Sequence, residues 1–291
     1  MPARERAWLS AGFESVCGFV VRAEDVAWAD TPAKLFAAHG LGFPGSPLTP
    51  DLPFLDVVRI PVTPFIAVVP AVGGTTPAEA ALTGGDIIDR HPFTGNGFVG
   101  GIDQIVPLWW LDPVRVPAGS ELWRIAADGS ETFLAAYVHV GIGWATPTEA
   151  VAPRLGWVPP SETLGIFARW RGERVLADVL GDGSVIVCSP TDRDGMQESP
   201  RGVWWRQVPR DEVSDLSALR VTARWNGLPV QVVRRFAEED LIRAEVVYIG
   251  RDADVAEAAS LMKTDAGVYE ATVAWDELAE LQASESTPVS R

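Results

Sequence analysis

Apolar residues along the first 160 positions fall in short runs broken by proline, and one stretch takes helical spacing. Thr31-Pro32 followed by Ala33-Lys34-Leu35-Phe36-Ala37-Ala38-His39-Gly40 combines an N-cap, a first-turn proline, an apolar face and a closing glycine, which predicts a helix. Thr76–Leu82 reads as a second short helix. Gly18–Arg22, Leu55–Ile60 and Phe65–Val69 read as strands, the last two held short or at an edge by Pro61, Pro64 and Pro70. Residues 42–54 and 86–105 read as loops. From Ile105 the alternation becomes β: Ile105–Leu111, Glu121–Ile125 and Glu131–Tyr137, with Asp128-Gly129 as a hairpin turn. Pro147, Pro153, Pro159 and Pro160 mark a boundary between domains.

Beyond that boundary one template is written twice. Ala168-Arg169-Trp170-Arg171-Gly172 returns as Ala223-Arg224-Trp225-Asn226-Gly227, and Gly202-Val203-Trp204 returns as Gly267-Val268-Tyr269. Asp211-Glu212-Val213 with Asp215-Leu216 returns as Asp276-Glu277-Leu278 with Glu280-Leu281. A fixed order of such signatures marks a duplicated unit. Gly172 to Gly202 is 30 positions and Gly227 to Gly267 is 40. The surplus is Asp252–Met262, an N-capped amphipathic stretch. Each copy holds three to five short strands, the scale of a small twisted barrel of SH3-like kind. The expected class is therefore α+β, mostly β. Its expected parts are an N-terminal α+β domain (1–150), repeat A (161–218), repeat B with an inserted helix (219–282) and a disordered tail (283–291).

Composition narrows the functional classes. The chain has 291 residues, 47% of them hydrophobic, which is ample for a buried core. Formal charge is −15, made of −7 from residues 1–160 and −8 from the rest, so the acidity is spread along the chain. Such a surface repels phosphate backbones and anionic membranes and suits a basic protein partner, while serving solubility as well. Cys17 and Cys188 sit in apolar runs and read as buried free thiols, which fits a reducing compartment. Without a signal-peptide pattern or a bilayer-length apolar run, the expectation is a cytoplasmic protein.

Two features could carry function. The first is the 12 tryptophans, with adjacent pairs at Trp109-Trp110 and Trp204-Trp205. Neighbours on a strand face opposite ways, so one ring of each pair can enter a core while the other offers a contact anchor, unless packed domains cover both faces. Trp170 and Trp225 recur at one template position and read as core. The second is the segment from Asp86 to Gly101, where Asp86, Asp89, Arg90, His91 and Asn96 lie among glycines. His91 could act there as a base oriented by Asp89, with Arg90 or Asn96 holding an anionic or polar group, as in a small-molecule hydrolase or transferase. The same residues also fit a solvated surface loop. Gly95, Gly97 and Gly100 match G-x-G-x-x-G, but a proline precedes them and a strand follows, so no dinucleotide site is expected. The isolated histidines His39, His91 and His139 and the two cysteines give no ligand spacing, and neither metal nor cofactor is expected.

The second copy, from Trp225-x-Gly227 through Lys263-Thr-Asp-Ala-Gly-Val-Tyr-Glu270 to Asp276-Glu277-Leu278, resembles segments of actinobacterial proteins found alongside type VII-secreted toxins, immunity-type partners among them. The resemblance covers about a fifth of the chain and includes no catalytic signature. It implies a non-enzymatic, protein-binding role, with the Asp86–Gly101 enzyme as the alternative.

Overall fold

The computed structural model describes residues 13–42, 46–71, 98–100, 104–146, 159–265 and 267–287, together with the backbone of Pro2–Ala3. The protein is mostly β with few helices. The N-terminal region carries strands β1 (Pro2–Ala3), β2 (Ser15–Val20), β3 (Phe54–Arg59), β4 (Val68–Pro70), β5 (Phe98–Gly100), β6 (Ile105–Pro107), β7 (Trp109–Arg115), β8 (Ser120–Ala126), β9 (Glu131–Tyr137) and β10 (Trp144–Ala145). Helix α1 (Pro32–Ala38) begins as expected, with the Thr31 hydroxyl accepting from the Lys34 amide at 3.4 Å. The strands form one sheet in the order β1-β3-β8-β9-β10, a second in the order β2-β7-β4, and the pair β5-β6. Pro107 and the following residue split the single strand expected over 105–111. The stretch read as a loop over 86–105 holds β5 at 98–100.

The C-terminal region is one antiparallel sheet of eleven strands. Its strands are β11 (Leu164–Trp170), β12 (Glu173–Val179), β13 (Val185–Ser189), β14 (Gln197–Glu198), β15 (Trp204–Val208), β16 (Val213–Trp225), β17 (Leu228–Glu238), β18 (Leu241–Tyr248), β19 (Met262–Asp265), β20 (Val268–Ala274) and β21 (Ala279–Ser286). Helix α2 (Ala253–Ala258) stands between β18 and β19, capped by Asp252, whose carboxylate accepts from the Asp254 and Val255 amides. The strand order is β14-β15-β13-β12-β11-β16-β17-β18-β20-β19, with β21 also on β16. Among the described residues no pairing closes this sheet into a barrel.

The strand β16 explains why. Its 13 residues contain neither glycine nor proline to end it. Val213–Arg220 pair with β11, and Val221–Trp225 pair with β17. Ala218, Leu219 and Arg220 also bond to β21, which therefore lies on the opposite edge from β11. A boundary at 218/219 would fall inside this strand. The tail expected from 283 is likewise in the sheet as far as Ser286, because β21 pairs with β16 from Ala279 onward.

Half A (164–217) and half B (218–286) follow the same path. In each, the first strand turns back through two residues with positive φ, Arg171 (51°) and Gly172 (83°) or Asn226 (49°) and Gly227 (79°). These are the paired left-handed residues of a tight hairpin, which explains the recurring glycine. In each, a 3-10 turn (Arg210–Glu212 or Trp275–Glu277) leads into a closing strand that pairs with the first. That pairing slips between Phe167 and Arg169 in half A and between Thr222 and Arg224 in half B. The bulged residues Asp215 and Glu280 both take positive φ and hold Arg169 (3.1 Å) and Arg224 (3.2 Å). These exposed ion pairs contribute little energy. The apolar cores carry the stability: Ala168, Trp170, Val175, Ala177, Val185, Val187, Val208 and Val213 pack in half A. Ala223, Trp225, Val230, Val232, Ala244, Val246, Val273 and Leu278 pack in half B. Fully burying one such valine or leucine is worth about 1.5–3 kcal/mol.

The opposite face of the sheet is covered by the N-terminal region. Cys17 and Trp110 pack there with Leu164, Val233, Val247 and Val268. Val140 packs with Phe167, Leu176, Ile186, Cys188, Val203 and Leu219. Gly165 permits one close approach. It takes φ +105°, and a Cβ there would lie 2.6 Å from the Arg115 guanidinium carbon. Gly165→Ala is expected to cost about 1–3 kcal/mol from backbone conformation alone. Displacement of the guanidinium adds to that. Urea denaturation would show it as a lower midpoint, and an unchanged midpoint would contradict the packing described.

Candidate functional site

A gathering of buried charged side chains lies between the N-terminal region and half A. Arg115 ends β7 with its side chain 2% exposed, against 3% for Asp178 on β12. The Arg115 guanidinium spans Gly165: Nη1 donates to the Leu164 carbonyl (3.5 Å), and Nη2 donates to Ile166 O (3.1 Å), Ala177 O (2.5 Å) and Asp178 Oδ1 (3.2 Å). The other Asp178 oxygen accepts from the Val140 amide at 2.5 Å. Beside it, Arg201 donates to the Val140 carbonyl (2.7 Å) and pairs with Glu14 (2.5 Å). Glu14 also accepts from the Tyr137 hydroxyl (3.0 Å) and the Ser161 amide (3.2 Å).

The electrostatics are those of a lock rather than of an acid–base pair. Burial pushes the Asp178 carboxyl above its usual value against the pull of Arg115. Burial opposes the charge on Arg115, but Asp178, Tyr137 and Glu14 outweigh it and raise the guanidinium pKa. Burial, with Glu14 and Asp178, pushes the Tyr137 phenol well up, so it stays a proton donor to Glu14. Each charge has hydrogen-bonding partners, the condition under which a buried ion pair is tolerated, although the Arg115 Nε finds none among the described residues. A second and more open cluster repeats the connection: Asp112 on β7 holds Arg220 (3.2 Å) and Arg251 (2.8 Å). Nearby, the fully buried Gln231 donates to the Pro113 carbonyl at 2.7 Å.

His139 lies over Trp205 in the turn that contributes Val140, their rings 4.3 Å apart. Its Nδ1 accepts from the Gly141 amide at 3.2 Å. Burial, helped by Arg201, lowers its pKa to about 4. The folded state therefore holds a neutral imidazole that the unfolded chain would protonate near pH 6.5. Its contribution to stability is complete above that pH and is lost as the pH falls toward 4. His139→Asn is expected to shrink the difference between urea midpoints at pH 7 and pH 4.5. An equal difference in both chains would place the acid sensitivity elsewhere.

The four candidate anchor tryptophans occupy different settings. Trp110 is 7% exposed, stacks edge-on with Phe19 at 5.1 Å and donates from Nε1 to Asp112 at 3.2 Å. Trp205 is half-buried beneath His139, and a Cβ on Gly141 would lie 2.7 Å from its side chain. Both thus face other parts of this chain. Trp109 is half-buried with the Arg22 guanidinium 5.6 Å from its ring centroid. Trp204 is half-buried on β15, opposite Ser189 and Glu198. Of the recurring pair, Trp170 is 1% exposed, whereas Trp225 is half-buried and donates to Glu277 at 3.0 Å.

The alternative catalytic residues His91, Asp89 and Arg90, with Asp86 and Asn96, lie outside the described residues. So does the helix expected at Thr76–Leu82. Gly100 ends β5, a strand rather than the start of a helix. Among the described residues no three His, Cys, Asp or Glu side chains gather as metal ligands. Cys17 and Cys188 are buried, and burial raises the Cys188 thiol to about 12. No helix among the described residues is long and apolar enough to cross a membrane.

No family model, curated protein or solved structure matches the chain.

Proposed function

We propose that this chain is a non-enzymatic protein-binding protein whose C-terminal half is a small SH3-like unit built twice, placed by the N-terminal region to engage a protein partner. The observation that carries this reading is the matched path of the two halves: the same tight hairpin, bulge, 3-10 turn and core positions, run together through β16. Repeated units joined into one rigid surface favour recognition, because each adds contact area in a fixed orientation. The closing strand of half B supports it further. All eight residues of β21 are exposed, and among the described residues only β16 pairs with it. A bare edge of this kind is a template for an extended segment of another chain. The net charge of −15 suits a basic partner. The resemblance of half B to immunity-type proteins makes a secreted toxin the partner of choice, and a cytoplasmic setting goes with that role.

The test is affinity capture with the intact chain from the cell that makes it, followed by mass measurement of the isolated complex. A stoichiometric protein partner, released as salt is raised, is the expected result. Recovery of none at any salt concentration would overturn the proposal.

A further inference from the structure

The cores of the two halves use equivalent positions but differ in exposure, at Trp170 and Trp225 and most sharply at one leucine of the closing strands. Leu216 follows Val213 by three residues and is 6% exposed in half A, while Leu281 follows Leu278 by the same step and is 43% exposed in half B. The two cores also differ in what packs against them: half A has Ile166, Val179 and Met196 of its own and one residue from outside. Half A is packed from outside by Phe65, which belongs to the N-terminal stretch Pro61-Val62-Thr63-Pro64-Phe65 and touches that core cluster. Among the described residues, the side chains packed against the core of half B, namely Val221, Trp225, Ala271 and Trp275, all belong to half B itself. A large leucine is thus left open where its counterpart is closed, although single exposed leucines elsewhere need no explanation.

We infer that the open end of the half B core at Leu281 is a docking site for an extended segment of a partner protein, one carrying an aromatic residue next to proline and flanked by basic residues. This deepens the protein-binding reading and rests on it. The occupant follows from three features. Phe65 shows what chemistry packs against the core of half A: an aromatic ring presented by a chain stiffened by Pro61 and Pro64. Prolines reduce the entropy lost when such a segment is fixed, so a short contact can suffice. Residues 275–286 carry Asp276, Glu277, Glu280 and Glu285 and no lysine or arginine, which selects basic flanks. The edge of β21 beside Leu281 offers backbone groups to an added strand.

The chain itself supplies the probe. A fluorescent peptide with the sequence of Arg59–Val68 is titrated into the intact protein and followed by anisotropy. Saturable binding is expected. It should weaken at least tenfold in Leu281→Asp, an exposed substitution whose folding is checked by an unchanged thermal midpoint, and equally with Phe65→Ala in the peptide. No saturable binding, or binding unaltered by Leu281→Asp, would overturn the site; the second result would mean that the peptide displaces the chain's own Phe65 from half A. Capture of the partner separates this inference from the reading beneath it. A partner captured equally by the wild-type and Leu281→Asp chains removes the docking site and leaves the protein-binding role standing. Capture by neither removes the role itself.

Discussion

Asp178→Ala is expected to lower the thermal midpoint by roughly 6–20 °C, from a loss of about 3–5 kcal/mol and a shift of about 2–4 °C per kcal/mol in a chain of this size. The substitution leaves the Arg115 guanidinium, 2% exposed, without its counter-charge and the Val140 amide without an acceptor. The cost is that of an uncompensated buried charge rather than the net worth of the pair. Replacing both partners, Arg115→Met with Asp178→Leu, should therefore recover most of the loss. Differential scanning calorimetry of the single and double variants distinguishes the two. A single variant that melts with the wild type would show that Arg115 finds other partners, and would remove the lock from the account of how the N-terminal region is held.

Trp170→Ala is expected to cost about 3–5 kcal/mol, the usual range for removing a fully buried indole. Trp225→Ala, at the equivalent position, should cost roughly half as much, because its ring stays half-buried and its Nε1 bonds to the accessible Glu277. Both variants should still unfold in one transition. Loss of half A would strip β11 from β16, and β16 is also the first strand of half B. Two separate calorimetric transitions in Trp170→Ala would show instead that the halves unfold independently.

The features legible in the sequence were those with local causes. The Thr31-Pro32 cap, the Asp128-Gly129 turn and the recurrence of Arg171-Gly172 as Asn226-Gly227 depend on a few adjacent residues. Apolar alternation located most strands, and the recurrence of Trp170 and Trp225 pointed to equivalent core positions. The closing strand was less readable. Ala283-Ser284-Glu285-Ser286 has no apolar face, and it is held by backbone pairing to β16 and by Glu285 meeting Arg174 (2.7 Å) and Ser217 (2.7 Å). The run-on of β16 was hidden as well, since alternation reports which face a residue occupies and not where a strand changes partners. The buried charges leave one signal in the sequence. Asp178 stands inside Val-Leu-Ala-Asp-Val-Leu, and Arg115 inside Pro-Val-Arg-Val-Pro, each a lone ion in an apolar stretch. Their meeting, with Glu14, Tyr137 and Arg201, joins five distant parts of the chain, and no spacing rule connects them.

The shared strand also constrains the ancestry of such a chain. If one gene segment was copied to give both halves, it joined in frame with no spacer, so neither copy can now be excised or transplanted whole. A third copy could be grafted only by prolonging the ladder past Ser286, as β16 prolongs past Ser217. Lineages of this architecture should then differ in the number of units by complete steps, and tolerate varied lengths at the α2 excursion rather than at the junction.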